Sequence, residues 1–379
     1  MNRFAASLLL AASFLPASSL TAQGDKLAFA AGSDEDRDLQ AISSEADAQK
    51  KLTLYQDFVK KYSANPAAVA YGNWQISQAY QTAGDLNQSL DYGDKALASS
   101  PHNLDIIVSQ ASLAQQSKNN GKLLDYAARG GEVCSAIGKN KPADMSDDVF
   151  ARQVAEEKTA SQSSCDFLES SGFNVIVGEN DPKARMADIE KYTAAFPASK
   201  FGDQVSSYAM YTLGPGQLND SARLVAYGEK TLATNPNSLT ALLLLANFYS
   251  DDPKPTSAAK AATYAQKAIE VAKPDAPDAD DQRKISAGIA HSTLGYADIK
   301  QSKLPGAIAE LQSARALLKG RNEPQYAIAL YRLGVAYAKA MKTTEAREVL
   351  MEAVKIAGPT QAPSQDLLTK VNAARAKGQ

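Results

Sequence analysis

The sequence predicts an all-α protein in which helix hairpins stack into a repeat array. Three observations favour this fold class. Ala is abundant, and the alternation of Val, Ile and Thr that is typical of strands is nearly absent. Apolar and small residues recur at a fixed spacing, as shown below. Finally, 379 residues exceed what a single compact core usually organises, whereas an array grows by adding units.

The first 23 residues have the pattern of a secretory signal peptide. Arg3 supplies a positive start, Phe4 to Leu15 is apolar, Pro16 ends that stretch, and small residues follow over 17–22. As a helix the apolar stretch spans about 18 Å, too short for a hydrocarbon core of about 30 Å. We therefore expect a removed signal, an exported protein that is periplasmic or extracellular, and no membrane span in the rest of the chain.

A buried N-terminal helix is the alternative interpretation of these residues. The acidic stretch Gly32 to Asp36 disfavours it, because this stretch separates the apolar residues from the first helical pattern. The sequence thus predicts a linker over 24–37, with the first helices beginning near residue 38.

The clearest repeat lies near the C-terminal end of the chain. Each of its two copies has a Leu-Gly pair followed by Ala, Leu and Ala: Leu294-Gly295 with Ala307, Leu311 and Ala314, then Leu333-Gly334 with Ala346, Leu350 and Ala353. Every member of the second copy lies 39 residues after its counterpart. This spacing predicts two helices that return on each other, with small residues where their backbones come closest.

These residues resemble the tetratricopeptide repeat, whose pattern contains Leu-Gly, Tyr, small Ala residues and a final Pro. Two upstream stretches fit more loosely: Tyr80, Gly84, Ala96 and Pro101, with Trp74 one position off the family's large residue, and Leu245-Ala246 with Tyr249, Ala268 and Pro274. The resemblance implies an α-solenoid, a right-handed superhelix of stacked hairpins. It also implies a concave channel, lined by the first helix of each pair, that binds protein or peptide segments.

A longer repeated stretch of sequence indicates an internal duplication. The stretch from Tyr92 to Pro101 reappears, with similar residues, from Tyr227 to Pro236, a shift of 135. Generic helical patterning does not produce such a match, so we interpret the chain as a duplicated block of repeats.

Prolines and caps place the predicted boundaries, because proline removes a backbone donor and restricts the residue before it. The predicted hairpins are 38–100, 103–138, 146–196, 200–235, 238–272, 280–319 and 324–357. They form an N-terminal block over 38–196 and a C-terminal block over 197–357. Residues 358–379 contain a capping helix from Ser364 to Lys377 and a tail.

The family pattern is weakest over 130–197. Gly130-Gly131 is expected to interrupt a helix, and Ser161 to Ser164 has low helix propensity. Phe173 to Gly178 is expected to be extended. This segment is either an irregular repeat or a hinge. Its two cysteines, Cys134 and Cys165, are expected near the ends of successive helices more than about 20 Å apart, which favours buried free thiols over a disulfide.

Few residues in the sequence have the pattern of a catalytic or metal site. The two histidines, His102 and His291, have no Cys, Asp or Glu at ligand spacing, and we expect structural roles for both. Lys plus Arg is 40 against 42 for Asp plus Glu, without a basic cluster, which disfavours nucleic acid as a partner. We expect no enzyme activity, no metal and no small-molecule cofactor.

The resemblance also places candidate binding residues on the channel-facing helices. By position these are Trp74, Gln78, Gln81, Asn247, Ser292, Tyr296, Lys300, Tyr331 and Lys339. Trp74 is either an aromatic anchor for a partner or a core residue between repeats. The other candidates are either contact residues or ordinary solvated surface.

Two classes of function follow from the resemblance. The first is a non-catalytic scaffold or adaptor of the cell envelope that binds a peptide or protein segment in its concave channel. The second is a structural component of an envelope or export complex that makes its contacts through the convex face. The sequence does not identify the partner.

Overall fold

The computed structural model describes residues 26–254 and 256–377, with side chains up to residue 374. Within these ranges it contains 17 α-helices and no strand, which confirms the predicted all-α fold. The predicted signal peptide, residues 1–23, lies outside the described residues. None of the described helices is both long and apolar enough to cross a lipid bilayer.

The chain divides into two compact units. Unit 1 contains residues up to 179 and 188–199, and unit 2 contains 180–187 and residues from 200 onward. The first eight helices are α1 Asp34–Ser43, α2 Ala48–Lys61, α3 Pro66–Thr82, α4 Leu86–Ser99, α5 Leu104–Gln116, α6 Asn120–Ala136, α7 Asp147–Gly178 and α8 Pro182–Ala195. The other nine are α9 Gly202–Leu213, α10 Ser221–Thr234, α11 Leu239–Asp251, α12 Ser257–Ala272, α13 Asp281–Lys300, α14 Leu304–Leu318, α15 Glu323–Lys339, α16 Thr343–Ala353 and α17 Gln361–Lys377.

Consecutive helices pack as hairpins within each unit. Among the odd-numbered helices, α5 contacts α7, and α9, α11, α13, α15 and α17 contact one another in succession. Residues of α3, α5 and α7 also line a common pocket. We call the surface formed by these helices the odd-helix layer of each unit. The predicted capping helix is present as α17, which packs on both α15 and α16.

The same turn joins the two helices of four different hairpins. Its central residue has a left-handed backbone conformation: Gly84 (φ 83°), Lys118 (φ 56°), Ser302 (φ 60°) and Met341 (φ 61°). In each case the N–H of the next residue bonds to the carbonyl five residues before it, as Lys303 does with Asp298 and Lys342 with Tyr337. Such a turn satisfies carbonyls that a helix end would leave unpaired.

Small residues allow the helices of each hairpin to approach closely. A Cβ added to Gly295 on α13 would lie 2.6 Å from Leu311 on α14, and one added to Gly334 on α15 would lie 2.6 Å from Leu350 on α16. The 39-residue repeat seen in the sequence is therefore also a repeat of contacts. Its small and apolar members, Ala307, Leu311, Ala314, Ala346, Leu350 and Ala353, are all fully buried.

The duplication also extends to contacts. Gly93 on α4 faces Gln110 on α5, and Gly228 on α10 faces Leu245 on α11, where an added Cβ would lie 2.9 Å from the leucine. Both members of the first pair lie 135 residues before those of the second. The two stretches thus repeat the same junction between one hairpin and the next.

The structure corrects two predicted boundaries near the start of the chain. Helix α1 begins at Asp34, inside the predicted linker, because the Ser33 hydroxyl accepts a hydrogen bond from the Asp36 N–H and caps the helix. The range 38–100 was predicted as one hairpin but contains most of α1 together with α2, α3 and α4.

Three further predictions within 130–197 were wrong. Gly130 and Gly131 do not interrupt α6, because Leu168 and Phe196 fill the space that side chains would occupy at these positions. Ser161 to Ser164 and Phe173 to Gly178 all belong to α7, which has 32 residues. Buried Leu168, Val175 and Ile176 on one face of α7 outweigh the weak helix propensity of the serines and β-branched residues.

The expected separation of the two cysteines was also wrong. Cys134 and Cys165 form a disulfide with their Cα atoms 6.0 Å apart. Cys165 lies in the middle of the long helix α7 rather than at a helix end, and this position brings it level with the end of α6. The bridge therefore ties α6 to α7 in unit 1.

The close contact at Gly334 makes a prediction about stability. We expect Gly334→Ala to lower the free energy of unfolding by about 1–3 kcal/mol, since the new methyl group overlaps Leu350. Gly202→Ala is the matched control, because Gly202 is exposed at the start of α9 and an added Cβ meets nothing within 4 Å. Urea denaturation of both variants tests the difference. Equal stability of the two variants would contradict the packing argument.

A carboxylate joins three helices at the end of unit 2. Glu352 on α16 accepts hydrogen bonds of 2.6 Å from Arg315 Nη2 on α14 and from Tyr326 Oη on α15. Burial acts to raise the pKa of Glu352, but the hydrogen bonds from Tyr326 and Arg315 prevail and lower it. The charged form is therefore stabilised by the fold.

This arrangement gives a pH-dependent prediction. We expect Glu352→Gln to lower the free energy of unfolding by about 1–2 kcal/mol at pH 7. The difference from wild type should shrink as the pH falls through the lowered pKa of Glu352, because protonation removes the same interaction. Denaturation at several pH values measures it, with Glu348→Gln, an exposed residue on the same helix, as the control. A difference independent of pH would exclude the charge as its cause.

The disulfide gives a third prediction. It joins residues 31 positions apart, so we expect Cys134→Ser with Cys165→Ser to lower the free energy of unfolding by about 2–4 kcal/mol. Denaturation with and without a thiol reductant provides the control. Reductant should destabilise wild type towards the double variant and leave the variant unchanged, whereas a wild type insensitive to complete reduction would contradict the prediction.

Candidate functional site

Four of the residues predicted from sequence lie close together on the odd-helix layer of unit 2. Asn247 is on α11, and Ser292, Tyr296 and Lys300 follow one another along α13. Thr293 on α13 donates a hydrogen bond of 2.6 Å to Asn247 Oδ1, which fixes this part of α11 against α13. The predicted residues therefore belong to one continuous surface.

Arg332 on α15 lies at the centre of this surface. Its Nη1 donates a hydrogen bond of 3.2 Å to the Ser292 hydroxyl, and its guanidinium carbon lies 4.6 Å from the centre of the Tyr296 ring. Ser292 is only 1% exposed, so it holds Arg332 in place and does not itself offer a surface to a partner. We call Arg332, Tyr296 and Lys300 the cationic cluster.

The environment of Arg332 is unfavourable for its charge. Burial lowers the pKa of the guanidinium, while the negative charge of Asp251 and the Tyr296 hydroxyl oppose that shift. Within the described residues, Arg332 forms no ion pair, and the bond to Ser292 is its sole hydrogen bond. Since guanidinium has five N–H donors, most of its hydrogen-bonding capacity is available to a ligand or to water.

Lys300 supplies a second positive charge near Tyr296. Its ammonium lies 5.1 Å from the centre of the ring and donates hydrogen bonds to the carbonyl oxygens of Ser250 and Asp252, the latter at 3.4 Å. The two cations thus lie against one aromatic ring, in the geometry of cation–π interactions. These contacts hold both cations beside the end of α11.

A cavity of about 500 Å³ adjoins the cationic cluster. It lies between α9 and α11 and shares Asn247 and Asp251 with the surroundings of Arg332. Its other walls are largely apolar and include Met210, Tyr211, Leu224, Leu244 and Phe248. Tyr211 is 57% exposed, which is unusual for a large side chain beside a cavity. The surface thus offers an apolar recess next to two cations.

Two predicted residues on α15 lie elsewhere. Tyr331 packs against the buried core shared by α13 to α17 and lies close enough to Lys370 on α17 to affect its pKa. The channel-facing role of Tyr331 stays a prediction. Lys339 is exposed at the end of α15, and it forms no hydrogen bond or ion pair with any described side chain. Neither residue belongs to the cationic cluster.

The remaining predicted residues belong to unit 1. Trp74 on α3 is partly buried and lines a separate pocket, whereas Gln81 donates a long hydrogen bond of 3.5 Å to Gln116 on α5. Gln78 is partly buried on the same helix, and its backbone carbonyl accepts a hydrogen bond from Thr82. These three residues do not form a cluster comparable to that of unit 2.

The prediction missed Arg332, although the sequence contains a signal for it. Arg332 is the sole charged residue between Glu323 and Lys339, in a helix otherwise made of apolar, small and uncharged residues. A single charge within such a stretch must be solvated or paired when the helix packs. Arg332 is the equivalent, in the second copy of the 39-residue repeat, of Thr293 in the first. Thr293 is the residue that donates a hydrogen bond to Asn247.

His291 contacts Glu310 on the neighbouring helix. Its Nδ1 lies 2.6 Å from Glu310 Oε2 on α14, and the two side chains are 16% and 29% exposed. Across residues 26–254 and 256–377, no three His, Cys, Asp or Glu side chains are grouped so that they could hold a metal ion.

Comparisons with known proteins give structural likenesses at low identity. No protein-family model matches the sequence, and no curated protein matches it either. Among solved structures, the chain is similar to the TPR domain of P58(IPK), with 12% identity, a TM-score of 0.33, and coverage of 92% of this chain and 99% of the other. It is also similar to yeast Tom70, with 13% identity, a TM-score of 0.23, and coverage of 91% and 95%.

Proposed function

We propose that this chain is a non-catalytic scaffold that binds an extended segment of a partner protein on the odd-helix layer of unit 2. The observation that carries the proposal is Arg332, a cation held in a desolvating environment with most of its donors unused. The segment presents a carboxylate to Arg332 and an apolar side chain to the neighbouring cavity.

Charge is the first reason for this choice of partner. A carboxylate fits the fork of N–H donors on guanidinium and forms two parallel hydrogen bonds with it. Such a ligand supplies the ion pair that Arg332 lacks within the described structure, and Lys300 lies near the same aromatic ring. Arg and Tyr are also the residue types that contribute most to binding energy at protein interfaces.

Shape is the second reason. A recess of about 500 Å³ with largely apolar walls suits one large side chain and its neighbours rather than a flat protein surface. Because the recess and the cationic cluster lie on successive odd-numbered helices, an extended chain passes from one to the other. The partner is a protein and not a nucleic acid, since the chain has 40 basic against 42 acidic residues and no basic stripe.

We also propose that the protein is exported and acts in the cell envelope. The signal-like pattern of the first 23 residues supports export. The disulfide between Cys134 and Cys165 supports an oxidising compartment, because such bonds persist there and are rare in the cytosol.

A peptide-display selection followed by anisotropy titration tests the proposed function. We expect selected peptides to be enriched in a carboxylate near a large apolar residue. Arg332→Gln should weaken their binding by about tenfold or more, the loss of a charge-assisted hydrogen bond of about 1.5–3 kcal/mol. Tyr211→Ala, at an exposed position on the cavity wall, should weaken binding through lost apolar contact.

The matched control is Lys355→Gln, which removes an exposed positive charge that lies after α16, away from the cluster. It should leave affinity unchanged, and circular dichroism should show that all three variants are folded. Selected peptides without acidic residues, or equal affinity for wild type and Arg332→Gln, would refute the role of the cationic cluster.

A further inference from the structure

The segment that precedes α1 lies across unit 1 and contacts helices far along the chain. Lys26 Nζ forms an ion pair of 3.3 Å with Glu157 Oε2 on α7. Three residues later, the ring of Phe29 packs edge-on against Tyr71 on α3, with centroids 5.6 Å apart. We call residues 26–29 the N-terminal strap.

A pocket of about 380 Å³ lies beside this strap. Lys26 and Leu27 form one wall, and the odd-helix layer of unit 1 forms the others: Tyr71 and Trp74 on α3, Asp105 on α5, and Glu157 with its neighbours on α7. The pocket therefore lies on the same kind of surface as the cationic cluster of unit 2, but within the other unit.

The charge of this pocket is opposite to that of the cationic cluster. Asp105 and Glu157 are acidic, and Lys26 of the strap is the sole basic residue in the lining. The Glu157 side chain is 20% exposed, whereas that of Lys26 is 75% exposed. A largely covered carboxylate therefore depends on a cation that is mostly in solvent, and another cation can take its place.

The strap itself is held by few contacts. None of its four residues is buried, and its backbone forms no hydrogen bond within the described residues. Replacing it with another extended segment therefore breaks the ion pair of Lys26, the contact of Phe29 with Tyr71 and the packing of Phe29 against the neighbouring core, and no backbone hydrogen bond.

Trp74 gives further evidence that this wall of the pocket has a role beyond stabilising the fold. Its indole nitrogen is buried and has no hydrogen-bond partner among the described residues. Buried donors are nearly always paired, and exceptions are concentrated at sites that serve a function.

We propose that the surface of unit 1 on which the strap lies, beside this pocket, is a docking site for an extended partner segment with a Lys or Arg followed, three residues later, by an aromatic residue. The strap shows this chemistry because it occupies the site within the same chain, with Lys26 on Glu157 and Phe29 on Tyr71. It acts as an internal competitor that a partner segment must displace. The site is independent of the cationic cluster, so the two proposals stand or fall separately.

A labelled peptide with the strap's own sequence, KLAFAAGS, tests the proposal by fluorescence anisotropy on the full chain. In Lys26→Ser with Phe29→Ser, the internal competitor is detached, and we expect the peptide to bind about tenfold more tightly than to wild type. Adding Glu157→Gln to this variant should remove about tenfold of that affinity, because the carboxylate that receives the lysine is lost. The peptide ELAFAAGS, with the charge reversed, should bind to none of the proteins.

Glu156→Gln is the matched control, since Glu156 is the exposed neighbour of Glu157 on α7 and should not affect binding. Circular dichroism checks that each variant is folded. Equal peptide affinity for wild type and the double variant would overturn the role of the strap, and unchanged affinity after Glu157→Gln would overturn the site. A concentration-dependent dimer of wild type that the double variant lacks would assign the site to a second copy of this chain, which also overturns a separate partner.

Discussion

The structure depends on one packing constraint, the close approach of neighbouring helices at positions without a side chain. Gly295 and Gly334 each face a leucine from the returning helix, and Gly228 faces one from the next hairpin. Because an added Cβ would overlap these leucines, the distance between the helices is fixed by the absence of a side chain. Each hairpin then presents the same apolar surface to the next, and short-range contacts are enough to build each unit.

This regularity determines where polar residues can act. Where odd-numbered helices lie side by side, residues one turn apart on one helix contact residues of the neighbouring helices. Ser292 and Tyr296 on α13 thus contact Arg332 on α15, and Thr293 contacts Asn247 on α11. The repeat fixes the backbone positions, and different side chains at equivalent positions of successive repeats give each part of the odd-helix layer its own charge.

The two units use this repeat in different ways. In unit 2 the guanidinium of Arg332 forms no ion pair within the described residues, whereas in unit 1 the largely covered carboxylate of Glu157 pairs with the exposed cation of Lys26. Each surface is electrostatically incomplete, but with opposite sign. Under the two proposals above, such surfaces would distinguish acidic from basic segments, since the wrong charge would meet repulsion at either one.

The sequence predicted those parts of the fold that depend on local pattern and failed where distant contacts decide. Leu311 and Leu350 were identified because their spacing from Leu-Gly is the same in both copies. Gly130 was misread, because propensity alone cannot reveal that Leu168, from another helix, fills the space beside it. Asn247, Ser292, Tyr296 and Lys300 lie on α11 and α13, and their channel-facing role stays a prediction. The contacts of Arg332 with Ser292 and Tyr296 could not be predicted, because they join side chains from different helices.

The same distinction explains why α7 was the hardest element to predict. The first half of this 32-residue helix has no fully buried residue before Ser161, so hydrophobic periodicity gives little sign of it. This half is held instead by the packing of Val154 on Gly138 and by the ion pair between Glu157 and Lys26, and the disulfide at Cys165 follows shortly after it. A helix held mainly by such isolated links has low local stability compared with one that buries an apolar face. Because Glu157 lies on this half, the proposed exchange of one extended segment for another would take place at the part of α7 that has no fully buried residue.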